Sequence, residues 1–280
     1  MTIITDPQDM QQDAIKSFGQ KTVGFVPTMG ALHEGHLSLI RKSKQDNDKT
    51  IVSIFLNPTQ FGENEDLSNY PSVIEEDIKK LEGLEVDTLF LPNKKDIYPE
   101  TFATFVTVEG ITNKLCGLSR PVHFRGVSTI CTKLFLLTLP TVSYFGQKDY
   151  QQSLVIRRLV KDLNISTQIE VLPIIRDADG LALSSRNVYL SANERVESLK
   201  LNQTITQAEN LVRHGEKEAH AIKTFIKEDL SKSSLIKIDY ISICHPETLE
   251  ELTVIGNHVL IAVAIYIGST RLIDNCLLSK

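Results

Sequence analysis

The 280-residue sequence has no tryptophan and only four cysteines, and aromatic residues make up 6% of the chain. The cysteines are far apart and form no C-x-x-C pair, so they favour neither a disulfide framework nor a redox motif. We interpret them as reduced thiols and expect a cytoplasmic protein. They are Cys116, Cys131, Cys244 and Cys276.

Long apolar runs and an excess of positive charge are also missing. The longest apolar run, 259–267, has nine residues, whereas a membrane helix needs about 20, so we expect no membrane partner. Residues 1–6 show no basic segment leading into an apolar core, so we expect no signal peptide. The chain has 30 Lys and Arg against 35 Asp and Glu, a formal net charge of −5, which does not favour nucleic-acid binding.

The first part of the chain alternates short apolar runs with helical patterns. Apolar runs predict strands at 22–26, ending at Pro27, and at 50–56, 86–91, 142–145 and 168–172. Helical spacing predicts helices at 36–44, 72–81 and 150–160. Apolar strands separated by helices of this length predict a parallel sheet with helices on both faces, which is an α/β fold.

The pattern changes after about residue 175. Ser191 and Glu194 form a capping box that predicts a long helix extending toward Arg213. A second helix is expected over 216–230, followed by strands at 237–243, 259–266 and 271–277. We therefore expect a first domain over 1–174 and a smaller C-terminal α+β domain over 175–280.

The segment FVPTMGALHEGH, residues 25–36, follows a predicted strand and opens a predicted helix. A helix N-terminus has free N–H groups and a partial positive charge, which favour phosphate binding. Gly30 and Gly35 would let a bulky anion approach the backbone. His33 and His36 are three residues apart, so both imidazoles lie on one side of the first turn. This pattern indicates a phosphate site.

The histidine pair has two other interpretations. Zinc metalloproteases use H-E-x-x-H, with histidines four residues apart, whereas this chain has H-x-x-H and no evident third ligand. Two polar residues that cap a helix would also explain the pair. The position directly after the first predicted strand of an α/β sheet favours the phosphate interpretation.

The stretch TMGALHEGH, residues 28–36, resembles the nucleotide-binding signature of the HIGH-type nucleotidylyltransferases and, more narrowly, of the pantoate–β-alanine ligase family. The resemblance continues, in order, through NPTQFG (57–62), SRPVHFRG (119–126), YFGQKDYQQ (144–152) and RDADGLALSSRN (176–187). Five ordered motifs are more specific than any one of them. The resemblance implies a Rossmann-like parallel sheet, with the C-terminal domain forming a lid over the site.

The resemblance also implies a reaction. ATP would adenylate the carboxylate of pantoate with release of pyrophosphate, and β-alanine would then displace AMP to give pantothenate. Mg²⁺ is expected with ATP, held mainly by phosphate oxygens and waters. Glu75, Glu76 and Asp77 match a region where some family members hold a cation, although a solvated acidic helix start explains them equally well. The protein ligands of the metal stay open, and the resemblance implies a homodimer.

The resemblance assigns catalytic roles to His33, His36, Lys148 and Arg186. It places Gln60 and Gln152 on pantoate and Gln60 also on β-alanine, with Asn57 beside them. The residues implied in ATP binding are Met29, Gly30, Ala31, Leu32, His33, Glu34, Gly35, His36, Gly146, Gln147, Lys148, Asp149, Ile175, Leu183, Ser184, Ser185 and Arg186.

Lys148 and Arg186 are the cations best suited to the phosphates. Lys148 follows the predicted strand 142–145, at the edge where open α/β sheets bind ligands. Arg186 follows two serine hydroxyls, and its guanidinium can grip phosphate in a bidentate fashion. We expect Asp149 to cap the next helix. Many family members carry Glu where this chain has Gln147, which removes one negative charge near the triphosphate.

The family assigns His36 as a proton donor, but hydrogen bonding to the phosphate would explain the residue equally well. Arg120 resembles part of a flap that keeps water from the intermediate. His123 and Arg125 follow it without an assigned role.

Two other functions stay open at this point. A nucleotidylyltransferase could transfer AMP or CMP to a phosphorylated acceptor and stop there. A non-catalytic nucleotide- or tRNA-binding relative would also carry the signature. The net charge of −5 and the presence of both histidines, Lys148 and Arg186 argue against the second alternative.

Overall fold

The structure is a computed structural model that describes residues 1–63 and 65–279. It contains a six-stranded sheet with the order β1-β4-β3-β2-β5-β6 and a three-stranded sheet with the order β7-β8-β9. All strand pairs of the first sheet are parallel. Its strands are β1 (Thr2–Ile4), β2 (Val23–Thr28), β3 (Lys49–Ile54), β4 (Thr88–Phe90), β5 (Val142–Gly146) and β6 (Gln168–Leu172).

Helices connect these strands and continue into the C-terminal part. They are α1 (Pro7–Ser17), α2 (Glu34–Asp46), α3 (Ile74–Gly83), α4 (Lys94–Ile97), α5 (Cys116–Ser119), α6 (His123–Thr138), α7 (Tyr150–Asp162), α8 (Ala192–Arg213) and α9 (Ala219–Leu230). Short 3₁₀ turns lie at Pro58–Gln60, Asp66–Asn69, Ile111–Asn113, Gln147–Asp149 and Ser185–Tyr189. Among the described residues, no helix is both long and apolar enough to cross a membrane.

Alternation along β2 explains why the parallel sheet is covered on both faces. Phe25 and Val26 are adjacent and fully buried, and they belong to different apolar clusters because successive strand side chains point to opposite faces. Phe135 of α6 packs in the cluster of Phe25, and Ile40 of α2 packs in that of Val26. The predicted α/β fold with helices on both faces is confirmed.

The C-terminal sheet consists of β7 (Ile236–Cys244), β8 (His258–Ile267) and β9 (Thr270–Ser279), paired in antiparallel fashion. Side chains of α8 and α9 cover it and form a separate apolar cluster. The predicted capping box opens α8: Ser191 N–H donates to Glu194 Oε2 at 2.9 Å. The predicted smaller α+β unit is confirmed, and the boundary near residue 175 stays a prediction.

The first predicted strand was wrong in its end point, because β2 continues through Pro27 to Thr28. The backbone groups of Val23 point toward β5, and its C=O accepts a hydrogen bond from the N–H of Thr141, which directly precedes that strand. Pro27 lies four residues further along β2, so its backbone also points toward β5. The pairing with β5 has already ended at Phe25, so the missing N–H of proline breaks no ladder bond.

Candidate active site

The carboxyl ends of β2 and β5 carry the loops that resemble nucleotide-binding motifs. Residues 29–33 follow β2 and lead into α2, and the 3₁₀ turn Gln147–Asp149 follows β5 and leads into α7. The two strands pair at Gly24↔Val142 and Phe25↔Ser143. This pairing places the two loops side by side, at the edge where open parallel sheets bind ligands.

The two histidines cap α2, which begins at Glu34, earlier than predicted. Nδ1 of His33 accepts from Gly35 N–H at 3.2 Å, and His33 N–H points to Nδ1 of His36 at 3.4 Å. The ring centroids are 4.1 Å apart. Because Nδ1 accepts in both rings, each neutral imidazole carries its proton on Nε2. Capping and phosphate binding are therefore compatible, since capping uses Nδ1 and leaves Nε2–H as a donor.

Burial keeps both imidazoles neutral at pH 7. Desolvation, followed by the nearby Lys148 ammonium, lowers the pKa of His33 to about 4. Desolvation, then His33 and Lys148, holds the pKa of His36 well below its usual value. Neutral rings at this position can donate hydrogen bonds without adding charge.

The loop between β2 and His33 is held from α3. The N–H groups of Ala31 and Leu32 donate to the two carboxylate oxygens of Asp77, each at 2.8 Å. Lys80 Nζ donates to the carbonyl of Leu32, also at 2.8 Å. The predicted ATP contacts of Ala31 and Leu32 would therefore have to use atoms other than these N–H groups.

Lys148 lies in the turn after β5, with its Nζ 3.6 Å from Asp149 Oδ1. The prediction that Asp149 caps α7 is wrong in its detail: Asp149 occupies the N-cap position, but its side chain makes no capping hydrogen bond. The carboxylate is instead close to the Lys148 ammonium. Asn275 of β9 donates to the carbonyls of Gln147 and Lys148, both at 3.0 Å.

The Ser184–Arg186 segment approaches the β2–α2 loop from the C-terminal part of the chain. Ser185 Oγ donates to the carbonyl of Ala31 at 3.3 Å. Arg186 makes a bidentate pair with Asp66, with Nε and Nη2 at 2.9 and 2.8 Å from its oxygens. The guanidinium carbon also lies 5.5 Å from the ring centroid of Tyr70. A carboxylate thus holds this arginine near the histidines.

A chain of hydrogen bonds fixes Gln60. Tyr98 Oη donates to Asn57 Oδ1 at 2.9 Å, and Asn57 Nδ2 donates to Gln60 Oε1 at 3.0 Å. Asn57 is 1% exposed and Gln60 is 7% exposed. A Cβ on Gly126 would lie 2.3 Å from the carbonyl oxygen of Thr59, so only glycine lets α6 approach the turn that carries Gln60.

The stretch that resembles a flap also contacts this turn. His123 Nδ1–H donates to the carbonyl of Gln60 at 3.0 Å, and Arg120 Nε donates to Glu65 at 2.9 Å. Arg125 instead stacks on Phe105, 3.9 Å from the ring centroid. His123 therefore belongs to the wall of the site, whereas Arg125 lies outside it.

A cavity of about 230 Å³ collects most of the predicted residues. It adjoins a second cavity of about 680 Å³ that reaches the C-terminal sheet. Sites for small ligands usually measure roughly 300–1,000 Å³, so a nucleotide and a second substrate would need both. The residues shared by the two cavities are Arg120, His123, Lys148, Asp149, Gln152, Ser184 and Arg186.

The predicted residues divide into two groups by position. Those that line the smaller cavity are Met29, His33, Gly35, His36, Gln60, Gly146, Lys148, Asp149, Gln152, Ile175, Leu183, Ser184, Ser185 and Arg186. Those that do not line it are Gly30, Ala31, Leu32, Glu34 and Gln147. Glu34 is exposed and pairs with Arg41. The ligand-binding roles of both groups stay predictions.

Several residues of the site were not anticipated from the sequence, and three of them contact its cations or the turn that carries one. Asp66 pairs with Arg186, Tyr70 lines the smaller cavity, and Asn275 holds the turn of Lys148. Asp66 and Tyr70 lie shortly after the NPTQFG motif in the sequence, and this proximity could have marked them as candidate site residues. Asn275 lies more than a hundred residues from the turn it contacts, so no local pattern could have connected them.

The acidic start of α3 is engaged in contacts within the protein, and its role toward a cation stays open. Both oxygens of Asp77 accept backbone N–H groups, and Lys80 Nζ lies 3.9 Å from Oδ1. Glu75 and Glu76 are exposed. Within residues 1–63 and 65–279, no group of three or more His, Cys, Asp or Glu side chains is arranged to hold a metal ion.

The chain is similar to known proteins over nearly its whole length. The family model described as Pantoate-beta-alanine ligase matches residues 2–277. The pantothenate synthetase of Pseudothermotoga lettingae is 49% identical over 280 residues, which is 100% of both chains. That of Thermodesulfovibrio yellowstonii is 50% identical over 277 residues, covering 98% of this chain and 99% of the relative.

Solved structures agree with the sequence relatives. The crystal structure of pantothenate synthetase from Thermus thermophilus superposes with a TM-score of 0.94 at 40% identity, covering 99% of each chain. That of pantoate-β-alanine ligase from Francisella tularensis, described as a complex with β-γ ATP and β-alanine, has a TM-score of 0.82 at 39% identity. It covers 99% of this chain and 97% of the other.

We predict that His123 makes the protein less stable in mild acid. Burial, followed by the Arg120 charge, lowers the pKa of His123 to about 3, whereas the unfolded value is near 6.5. Below pH 6.5 the unfolded chain therefore binds a proton that the folded chain does not, so the free energy of unfolding falls with pH. One such histidine lowers the free energy of unfolding by roughly 2 kcal/mol between pH 7 and pH 5.

Urea unfolding at these two pH values measures the effect. His123→Gln keeps an N–H donor but cannot titrate, so its loss of stability between pH 7 and pH 5 should be smaller than that of the wild type. His220→Gln removes an exposed imidazole and should leave the wild-type difference intact. An unchanged difference in His123→Gln contradicts the prediction.

Proposed function

This chain belongs to the pantoate–β-alanine ligase family, and we propose that it condenses pantoate with β-alanine to give pantothenate. ATP drives the reaction through a pantoyl-adenylate, and AMP and pyrophosphate are released. The observation that carries this proposal is a single cavity lined by two neutral imidazoles, Lys148, Arg186 and two glutamine amides. Cationic and neutral donors suit a triphosphate, and uncharged amides suit a small hydroxy acid.

Activation is needed because a free carboxylate is a poor acylating group at pH 7. In the first step, a carboxylate oxygen of pantoate attacks the α-phosphorus of ATP, and the bond from that phosphorus to the bridging oxygen of pyrophosphate breaks. In the second, the amine of β-alanine attacks the acyl carbon, and the C–O bond to AMP breaks. Negative charge grows on the phosphates in the first step, so donors placed there lower the barrier.

The histidines supply hydrogen bonds in this proposal. Capping occupies Nδ1 of His33 and of His36, so each ring has Nε2–H for a phosphate oxygen. Since burial lowers the pKa of His36, its neutral ring has no readily released proton at pH 7. This favours hydrogen bonding to the phosphate over the family's assignment of His36 as a proton donor.

Lys148 and Arg186 supply positive charge. The Lys148 side chain is 19% exposed and that of Arg186 is 25% exposed, so both charges act in a partly desolvated site, where they are stronger than in water. Asp66 orients Arg186 through Nε and Nη2. Nη1 has no partner among the described hydrogen bonds and is the atom we assign to a phosphate oxygen.

Gln60 and Gln152 hold pantoate in this proposal, and Gln60 also contacts β-alanine. Their amides can both donate to and accept from hydroxyl and carboxylate groups. The network through Asn57 and Tyr98 fixes the Gln60 side chain before a substrate binds. Such preorganisation lowers the cost of ordering a small, flexible acid.

The C-terminal unit closes over this site in our proposal. We divide the chain into 1–174 and 175–280, and the second part would act as a lid. Arg176 makes a bidentate pair with the buried Asp274 of β9, at 2.6 and 2.9 Å. The neighbouring Asn275 holds the turn of Lys148. The Asn275 contact supports a lid whose position depends on the turn that carries Lys148. Arg120 would act as part of a flap over the same site.

Mg²⁺ is proposed as a companion of ATP rather than as a resident cofactor. The described residues form no acidic cluster suited to a resident ion, and Asp77 is already engaged by backbone N–H groups. The ion would therefore enter with the substrate, held by phosphate oxygens and water.

The main alternative function is a nucleotidylyltransferase that acts on a phosphorylated acceptor. The family match and the relatives support the ligase and give no support to that alternative. We also propose a cytoplasmic location, because the thiol pattern suits a reducing compartment, and we propose no nucleic-acid partner, because the net charge is −5.

The experiment that tests the function is exchange of labelled pyrophosphate into ATP. Exchange should require pantoate, and adding β-alanine should yield AMP and pantothenate. We predict that Lys148→Ala lowers the rate by roughly 10²-fold or more, because it removes positive charge from the phosphates. Lys161→Ala, at an exposed position of α7, should retain the wild-type rate.

Two results would overturn these assignments. Exchange supported only by a phosphorylated acceptor would replace the ligase with the alternative. Near-normal turnover in Lys148→Ala would remove that side chain from the chemistry.

We predict that His33→Ala and His36→Ala impair adenylation more than ATP binding, because their donors act on charge that grows during the reaction. His36→Gln restores an N–H near the Nε2 position, so its single-turnover adenylation rate should exceed that of His36→Ala. Equal rates for these two variants would contradict the hydrogen-bond role and favour proton transfer. Unchanged adenylation in both alanine variants would remove the histidines from the chemistry.

We propose a homodimer as the oligomeric state. Phe105 and Val122 are 39% and 44% exposed, and both line a shallow, mostly apolar cavity of about 260 Å³. Exposed apolar patches often mark protein interfaces. Light scattering should give twice the chain mass of 31.4 kDa, and Val122→Glu should shift the protein toward the monomer. A wild-type mass equal to one chain contradicts the proposal.

A further inference from the structure

We propose that Asp77 and Lys80 of α3 are positioning residues that brace the loop between β2 and α2 and thereby set the positions of His33 and His36. The inference rests on the proposed function, since it concerns the same site. Neither side chain lines the smaller cavity, so both act through the loop.

The carboxylate of Asp77 fits the loop by shape as well as by charge. Oδ2 accepts from Ala31 N–H and Oδ1 accepts from Leu32 N–H, each at 2.8 Å. The residue is 1% exposed, so water cannot replace these bonds. Two adjacent N–H groups that point the same way need two adjacent acceptor atoms, which a carboxylate has and an amide does not.

The backbone of this loop has an unusual conformation that the carboxylate explains. Gly30 has φ 87° and Ala31 has φ 50°, and the second value is rare for a residue with a side chain. Successive N–H groups in such a turn form a concave anion site. In this chain the protein's own carboxylate fills that site, so the phosphates of a nucleotide must be bound elsewhere.

Lys80 completes the brace one helical turn further along α3. Its Nζ donates to the carbonyl of Leu32 at 2.8 Å and lies 3.9 Å from Asp77 Oδ1. Both the N–H and the C=O of Leu32 are therefore held by the same helix. The lysine also balances the buried charge of Asp77, because opposite charges three residues apart on a helix are neighbours.

The path from the brace to the imidazoles is short. Leu32 precedes His33, whose N–H points to Nδ1 of His36, and Gly35 N–H donates back to Nδ1 of His33. A rotation of the Leu32 peptide would redirect both rings. A displacement of about 1 Å at a reacting group can cost roughly 10²-fold in rate.

The test begins with Asp77→Asn, which keeps the size of the side chain but sets an amide N–H against one backbone N–H. The kcat of pantoate-dependent exchange should fall by roughly 10- to 100-fold, with KM for ATP changed much less. The imidazole resonances of His33 and His36 should shift in long-range ¹H–¹⁵N spectra. Glu82→Gln, an exposed carboxylate on the same helix, should change neither.

A second pair of variants covers the case in which Asp77→Asn does not fold. Lys80→Met keeps most of the apolar stem but loses the donor, so it should lower kcat. Lys80→Arg keeps a donor and should restore much of that loss. Equal kcat values for these two variants would overturn the role of Lys80 in the brace.

Three results contradict the brace. Folded Asp77→Asn with wild-type kcat and unmoved imidazole resonances would reduce Asp77 to a structural residue. A lower unfolding temperature with no other change would do the same. A raised Mg²⁺ requirement with unmoved resonances would make Asp77 a cation ligand. If the wild type shows no pantoate-dependent exchange, the proposed function fails, and the imidazole spectra still decide on the brace.

Discussion

The site depends on a short stretch of parallel pairing, two residues long, between β2 and β5. Gly24 and Phe25 pair with Val142 and Ser143, which lie more than a hundred residues further along the chain. Because the strands are parallel, their carboxyl ends meet at one edge of the sheet, and the histidine loop lies beside the turn of Lys148. The pairing ends at Phe25, so Pro27 interrupts no hydrogen bond between the two strands.

Each cation that lines the site has a carboxylate close to it. Arg186 is paired with Asp66, Arg120 with Glu65, and Lys148 lies near Asp149. These pairs reduce the cost of holding positive charge in a partly buried cavity. In the proposed function they would also orient the cations before a phosphate binds, which is a condition for electrostatic catalysis. The histidines, by contrast, stay neutral through burial, so the proposed hydrogen bonds from their Nε2–H groups would add no charge.

Much of the fold was accessible from the sequence because the strands of a covered parallel sheet are continuously apolar. The strand predicted at 168–172 coincides with β6, and the capping box at Ser191 opens α8 as expected. β1, α1, α4, α5 and α6 were not predicted. Eleven of the sixteen residues of α6 are buried, and these include threonine and glycine as well as apolar residues. The sequence of this helix therefore shows no clear division into a polar and an apolar face. Asp149 met the rule for a helix cap, but the Lys148 ammonium competes for its carboxylate.

The sequence by itself determined the candidate chemistry: five ordered motifs carry the family resemblance that implies roles for the histidines, Lys148, Arg186 and the glutamines, and the order of residues in a motif is a property of the chain alone. Only the tertiary structure decided how these groups are oriented. The Asp77 contact with the β2–α2 loop, the Asp66 pair with Arg186 and the Asn275 contact with the Lys148 turn join segments distant in sequence. Such contacts form when packing brings the segments together, and no local pattern encodes them.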